Sequence, residues 1–404
     1  MRILFLTQWF QPEPSFKGLP FAKVLQDKGN KVEVLTGFPN YPGGKIYSNY
    51  RLRIFQRETM EGIRVHRVAL YPSHDKSAIQ RIANYISFSI SALMIGPWLI
   101  RKPDIIYVYN LVTLGPPAFL LRFLFGSKVI MDVQDLWPES VLNSKMLENK
   151  FLLNFLSAFS RWVYNNVNKL VVLSPGFKRE LASRGVQPEK IEVIYNWCDE
   201  SSIRKNESSS DLVKHSEFSG KFVVLFAGTM GIAQGLDTVL DCARICSEDL
   251  PNVQFVLVGG GVDRPRLENR ANAMALSNVT FLPPQPVKSM GKILSRADAL
   301  IVHLKDDPLF SITIPSKTQA YLYIGKPIIM AVRGDAADLI KASGAGIVCE
   351  PETPGEMAKS IERLYSMSPE KRNDMGKSGM DYYKQYLSFS SGVDKFERLM
   401  SAIS

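Results

Sequence analysis

The feature that most constrains this chain is an alternation, sustained over nearly its whole length, of short β-rich apolar runs with segments of helix length. Runs such as ILFL at 3–6 and LVVL at 170–173 are apolar at every position, the pattern of strands buried on both faces. Strands are predicted at 2–7, 31–36, 63–68, 104–108, 128–132, 169–173 and 191–194, with helices over 18–28, 79–100, 116–125, 151–167 and 175–184. A polar stretch, 199–220, containing NESSSD, interrupts the series and reads as a linker. Strands then resume at 222–227, 253–258, 279–282, 299–303, 327–331 and 346–348, with helices over 236–247, 264–276, 287–296, 316–324, 354–367, 369–386 and 391–403. Strand–helix alternation builds parallel sheets covered on both sides. At 404 residues the chain exceeds one ordinary core, so two α/β domains of nucleotide-binding type are expected.

The net charge of +10 belongs to one half. Residues 1–199 hold 25 Lys and Arg against 15 Asp and Glu, a surplus of 10, whereas 200–404 hold 24 of each. A basic half-molecule favours an anionic partner: a membrane leaflet, a nucleic acid or a phosphorylated acceptor. Nucleic acid is set aside, because no recognised motif and no tight basic cluster with interleaved aromatics occurs. Two apolar stretches, 79–100 and 116–125, are flanked by Arg81, Arg101, Lys102, Arg122 and Lys128. Asn84, several serines and Pro97 break the first, and its run from 87 to 100 is too short to cross a bilayer. Burial against the sheet and surface association with anionic lipid both fit, and no segment is expected to span. The scattered Cys198, Cys242, Cys246 and Cys349 read as buried thiols of a reducing cytoplasm. Residues 2–7 read as a strand and not as a secretory leader.

In open parallel sheets, ligands gather at the carboxyl ends of the strands, where helix N-termini turn backbone amides outward. The loop QWFQPEPSFKGLP ends in Lys17 and Gly18, where glycine admits a phosphate and lysine adds charge, although simple helix capping fits equally. FAGTMGIAQGLD sets Gly228, Gly231 and Gly235 between strand and helix, with Thr229 and Gln234 among them. The spacing is not a dinucleotide fingerprint but suits a phosphate or a sugar. VGGGVDRP places Gly259, Gly260 and Gly261 at another strand end, with Arg264 and Arg266 just beyond. In IPSKTQAYLYIGKPI, Ser316 is expected to cap a helix and Lys317 to occupy its first turn. A lysine there opposes the helix dipole, and a bound anion offsets the repulsion.

MDVQDLWPES crowds Asp135, Trp137 and Glu139 at a strand end. The carboxylates can take sugar hydroxyls or a proton and the indole can stack on a sugar face; Asp135 capping a turn at Pro138 is the plainer alternative. Asn40 and Tyr41, in GFPNYPGGK, form a further polar-aromatic loop. Asp-x-Asp, P-loop, G-x-S-x-G and H-E-x-x-H motifs are absent, and His66, His74, His215 and His303 are dispersed and read as structural.

Taken in order, TGFPNYPGGKIY, DVQDLWPES, VVLSPGFKRELASRGV, KIEVIYNWCD, FAGTMGIAQGLDTVLD, LVGGGVDRPRLE and IPSKTQAYLYIGKPI resemble the family 4 retaining glycosyltransferases. The nearest branch is the L-fucosamine transferase-like one of bacterial surface-polysaccharide synthesis. The resemblance implies the GT-B fold: two Rossmann-like domains with parallel sheets facing across a cleft. Residues 1–198 would take the acceptor and 199–387 the nucleotide-sugar, with a helix at about 388–404 packing back onto the first domain. By position, Gly18 would lie near the donor diphosphate, Thr229 to Gln234 with Ser316 and Lys317 would line the phosphates, and the loop containing Pro284 would sit by the base. Asp135 would stand near the acceptor. The family's two glutamates fall at Ile312 and Ala320, neither of them acidic, and Gln234 stands where a lysine is common. Lys317 is then the main cation left for the leaving phosphate.

The resemblance implies metal-independent transfer, without a cofactor, from a nucleoside diphosphate sugar, expected as a UDP-sugar. The acceptor would be a polyprenyl-diphosphate-linked saccharide at the cytoplasmic face of the plasma membrane. A nucleotide-sugar epimerase and a non-catalytic assembly subunit are the alternatives.

Overall fold

Residues 105–109 and 222–227 are buried throughout, and a strand hidden on both faces needs helices above and below its sheet. The computed structural model, which describes residues 1–73, 78–138, 150–203 and 220–404, contains two such sheets. Residues 1–173, 177–194 and 393–404 form one compact unit, and 174–176 with 195–392 form the other.

The first unit runs β1 (Arg2–Leu6), α1 (Leu19–Asp27), β2 (Lys31–Gly37), β3 (Phe55–Met60), β4 (Ile63–Val68), α2 (Ala78–Leu99), β5 (Ile105–Tyr109), α3 (Gly115–Phe125), β6 (Lys128–Val133), α4 (Lys150–Asn166), β7 (Lys169–Val172), α5 (Pro175–Ser183) and β8 (Ile191–Val193). Its sheet has the order β3-β4-β2-β1-β5-β6-β7-β8. All neighbours are parallel except β3 with β4. The antiparallel edge strand β3 was not among the expected strands. It carries no apolar run, because it alternates exposed and half-buried residues. A two-residue turn with both Glu61 and Gly62 at positive φ joins it to β4, the hairpin geometry that matches strand twist.

Two buried charges fix the loops at the carboxyl ends of β1 and β2. Arg67, with no exposure, donates to Glu58 at 2.5 Å, to the Gly37 carbonyl at 2.9 Å and to the Gln11 carbonyl. Glu13 accepts the backbone N–H groups of Asn40 at 2.7 Å, Tyr41 at 2.8 Å and Phe10 at 3.3 Å. Helix α2 lies along this sheet with Phe88, Ala92 and Leu99 buried. A methyl at Gly96 would meet Leu35 at 2.8 Å, so the helix approaches β2 closely. Asn84 accepts from Gln8 and donates to the Tyr71 carbonyl at 2.5 Å, and Ser89 donates to the Thr113 carbonyl at 2.5 Å. The helix as a whole, Ile79–Leu99, is long and apolar enough by length and composition to cross a membrane, whereas its run from 87 to 100 is too short. These polar tethers hold it along the sheet instead.

The second unit runs α6 (Glu200–Ile203), β9 (Phe222–Ala227), α7 (Asp237–Asp249), β10 (Val253–Val258), α8 (Arg264–Ala273), β11 (Val279–Leu282), α9 (Val287–Ser295), β12 (Ala299–His303), α10 (Pro308–Ser311), α11 (Ser316–Ile324), β13 (Ile328–Ala331), α12 (Asp335–Ser343), β14 (Gly346–Val348), α13 (Pro354–Tyr365) and α14 (Pro369–Tyr382). The last helix, α15, spans Phe389–Ile403. The sheet order β11-β10-β9-β12-β13-β14 is, counted from the first strand of the unit, 3-2-1-4-5-6, the doubly wound nucleotide-binding order. Helix α12 was absent from the sequence-based expectation; its DAADLIKAS is rich in small residues and flanked by glycines. Strand order reverses between β9 and β12, and the crevice beyond their carboxyl ends is where such sheets take ligands.

The Glu13 carboxyl is pushed up to about 7 from the usual 4.5, burial outweighing its three amide donors. The folded state therefore keeps this proton to higher pH than the unfolded chain does. Between about 4.5 and 7 rising pH favours unfolding, so this contribution is full below 4.5 and is lost as pH passes 7. Denaturant melts across that range are expected to show wild-type stability falling with pH and the slope flattened in Glu13→Gln.

Candidate active site

In the second unit the loops after β9 and β10 are pressed together backbone to backbone. A methyl on Gly259 (φ 144°) would stand 1.9 Å from the Gly228 carbonyl oxygen, and one on Gly261 (φ 149°) 2.2 Å from that of Met230. Met230 N–H donates to the Gly260 carbonyl at 2.7 Å. Only glycine satisfies both the left-handed backbone and the close approach. Together these loops rim a cavity of about 550 Å³ whose lining includes Thr229, Gly260, Pro284, Lys317, Ala320 and Tyr321, a volume suited to a nucleotide-sized ligand. Tyr321 closes the base, its hydroxyl accepting from Ala227 N–H at 2.8 Å.

Lys317 enters this cavity from the first turn of α11. Its ammonium nitrogen is shut off from solvent and has no hydrogen-bond partner among the described residues. It lies 3.6 Å from the centroid of the Phe226 ring, a cation–π contact, and a methyl on Gly228 would approach it to 3.2 Å. Burial lowers its pKa to about 7 from 10.5. An ammonium without a counter-charge among the described residues, beside glycine loops at the switch point, is equipped to receive an anion.

Of the residues expected on the donor side, Thr229, Gly260, Pro284 and Lys317 meet at this cavity. Gly231 and Gln234 serve the loop itself: the Gln234 side-chain carbonyl accepts Gly231 N–H at 2.9 Å. Ser316 does not cap the helix, which corrects that expectation. Pro315 holds the cap position and Ser316 begins the first turn, without a side-chain cap bond. His303 is structural: its Nδ1 lies 2.7 Å from the Gln234 carbonyl, and Glu352 N–H donates to its Nε2 at 3.1 Å. Nδ1 must therefore carry the proton, and burial lowers the pKa of the neutral ring. Ala320 lines the cavity, whereas the Ile312 carbonyl accepts from Ser174 at 2.6 Å. Beside it Asp335, which the sequence did not single out, accepts Gly176 N–H at 2.5 Å.

In the first unit the corrections are larger. Lys17 is wholly buried and ion-paired with Asp132 at 2.6 Å, and Tyr107 donates to the same carboxylate at 2.7 Å. Its charge is thus spent inside the fold and not on a phosphate. The space that Gly18 leaves is taken by Gln11, which would lie 2.3 Å from an added methyl. Gln11 Oε1 already accepts Leu19 N–H at 2.6 Å. Asn40 also faces inward, 1% exposed, donating to the Phe38 carbonyl at 3.0 Å. Trp137 is 5% exposed, with its ring 6.5 Å from Tyr85, so it lacks the free face expected for stacking on a sugar. Glu139 lies outside the described residues.

What remains at the carboxyl ends of this sheet is a half-buried aromatic group, of which Tyr85 lies within electrostatic reach of Asp135. Tyr41 and Tyr85 flank Trp9 at 5.7 and 5.8 Å. Asp135 is exposed at its outer edge; desolvation raises its carboxyl pKa against a hydrogen bond from Asn110. Asn110 holds a positive φ of 71°, a strained position of the kind found at functional sites. Trp9 and Tyr85 were not anticipated, since one sits in an irregular loop and the other inside an apolar helix.

Two family models match the chain: "Glycosyl transferase 4-like domain" over 20–197 and "Glycosyl transferases group 1" over 208–381. The chain is a glycosyltransferase of the GT-B type, carrying a 4-like first domain and a group 1 second domain. Among relatives, WcaI of Escherichia coli (strain K12), named as a colanic acid biosynthesis glycosyl transferase, is 25% identical over 84% of this chain and 85% of its own. WbjE of Pseudomonas aeruginosa, named as a glycosyltransferase, is 22% identical over 67% of this chain and 68% of its own. The Anabaena HepE structure with UDP-glucose has a TM-score of 0.69 at 17% identity and covers 100% of both chains. The trehalose 6-phosphate synthase of Burkholderia multivorans reaches 0.73 at 12% identity, over 100% of this chain and 96% of its own.

Because the two glycine loops touch backbone to backbone, Gly259→Ala is expected to cost more than about 2 kcal/mol of stability, read by denaturant melts.

Proposed function

We propose that the chain carries out retaining, metal-independent transfer of a sugar from a nucleoside diphosphate to a lipid-linked saccharide. The observation that carries this reading is the Lys317 ammonium, buried without a partner among the described residues at the rim of the glycine loops. A diphosphate placed there gains charge-assisted bonds from Lys317 and loop amides. These strengthen as negative charge builds on the leaving oxygen. The acceptor hydroxyl enters on the face the diphosphate leaves, and a phosphate oxygen takes its proton, so no protein nucleophile is used. Asp135, within electrostatic reach of Tyr85, is assigned with the Trp9, Tyr41 and Tyr85 group to the acceptor sugar.

The UDP-glucose held by HepE favours uridine as the base. The colanic acid role in WcaI's name favours surface polysaccharide synthesis, as O-antigen or capsule, at the cytoplasmic face of the membrane. An N-acetylated deoxyhexosamine of the L-fucosamine type is the donor sugar indicated by the sequence resemblance. Ala320, lining the cavity where the resemblance places a ribose-binding carboxylate, favours a ribose contact different from that of the family.

Lys317→Met keeps the length of the side chain and removes a buried charge, so the variant without nucleotide is expected to melt at or above wild type. Its affinity for UDP, read by calorimetry, is expected to fall at least tenfold, and turnover about a hundredfold or more. Unchanged UDP affinity would overturn the assignment, and a wild type that binds neither UDP nor a UDP-sugar would favour a non-catalytic subunit.

A further inference from the structure

Helices α2, α3 and α4 form a continuous layer on the first sheet. The first two pack side by side. Phe119 and Trp162 join α3 to α4 at 5.2 Å, and a methyl on Gly115 would meet Val163 at 2.7 Å. The layer is apolar on both sides. Inward, α2 sets Phe88, Ala92 and Leu99 against the sheet. Outward, at helical spacing, it shows Ile86, Ile90, Met94 and Trp98, the last 84% exposed, and α3 adds Phe123 at 85%. Phe155 and Trp162 of α4 are 59% and 48% exposed. A run of large apolar side chains over three adjacent helices is not ordinary surface.

Charge identifies the occupant. Residues 78–103, 115–131 and 150–179 contain no Asp or Glu. The same segments carry Arg81, Lys102, Lys128, Lys150 and Arg161. A second copy of this chain laid on the face would set cations against cations. An anionic bilayer offers hydrocarbon to the ring and methyl groups and phosphate to the rim. Trp98, near the end of α2 and followed by Arg101 and Lys102, has the amphipathic character of a headgroup-level anchor.

We propose that the outward face of α2, α3 and α4 docks on an anionic lipid bilayer, with the first unit lying on the leaflet. Helix α2 then has two duties. Ile86 and Ile90 meet lipid, while Tyr85, one residue away, stands in the aromatic group with Trp9. A saccharide carried on a lipid would reach Asp135 without its lipid leaving the membrane. This deepens the lipid-linked acceptor reading and rests on it for its purpose, but the docking itself is tested without any acceptor.

The experiment is flotation of the full chain with vesicles of about three parts phosphatidylethanolamine to one part phosphatidylglycerol. Wild type is expected to float, and Ile90→Glu/Trp98→Glu to lose vesicle partition by roughly tenfold or more. Lys102→Glu/Lys128→Glu is expected to weaken it and remove most of its salt dependence. UDP binding and melting temperature, measured on the same samples, should not move in either variant, which separates docking from folding and from the donor reading. A wild type that stays with the soluble fraction, or flotation indifferent to both variants, overturns the proposal. So does a wild-type dimer that the glutamate variant dissociates.

Discussion

A primary ammonium held out of water, with no hydrogen-bond partner among the described residues, is an expensive thing for a fold to keep. Moving Lys317 from 10.5 to about 7 corresponds to on the order of 5 kcal/mol, so its surroundings must be arranged to hold it. They are: the Phe226 ring below it, Gly228 leaving room beside it, and the first turn of α11 around it. The glycines at 259 and 261 keep the neighbouring loop flat against residues 228–230. The 3-2-1-4-5-6 strand order puts all of these at the switch point. The cavity, the perturbed lysine and the glycine loops are therefore one arrangement.

The first unit solves the opposite problem. Its buried ionisable groups have partners: Lys17 has Asp132, Arg67 has Glu58 and two carbonyls, and Glu13 has three amides. They tie down irregular loops at the sheet's carboxyl ends and leave Asp135 with Trp9, Tyr41 and Tyr85 at the surface. Removing one partner of such a pair strands a charge and costs far more than the pair contributes. These residues are thus structural for the loops that carry the groups proposed to meet the acceptor.

Buried strands such as 222–227, apolar throughout, and 253–258 and 299–303, apolar but for Gln254 and His303, were legible to the residue, because burial on both faces leaves little other use for such runs. The edge strand β3 was not, since it packs one partner only and alternates without a hydrophobic face. Helix α12 was hidden by its small residues. At the site, Lys317 was legible from local physics alone, a cation placed against a helix dipole. Lys17 with Asp132, 115 residues apart, and Gln11 filling the space at Gly18 were not. Long-range pairing of polar groups leaves no local periodicity, and a lysine before a glycine reads the same whether it faces a ligand or a buried carboxylate. The same holds for Trp137 and Asn40, whose types suit a sugar but whose side chains turn inward.

The central claim is that Lys317 waits in the cavity as a desolvated, unpaired ammonium that a donor's diphosphate completes. Lysine-selective nuclear magnetic resonance on the full chain, with Lys317→Met assigning the signal, tests it directly. The Lys317 signal is expected to titrate near 7 without nucleotide and to rise by roughly two pH units or more with UDP bound. Titration near 10.5, or a value that UDP leaves unmoved, would contradict it.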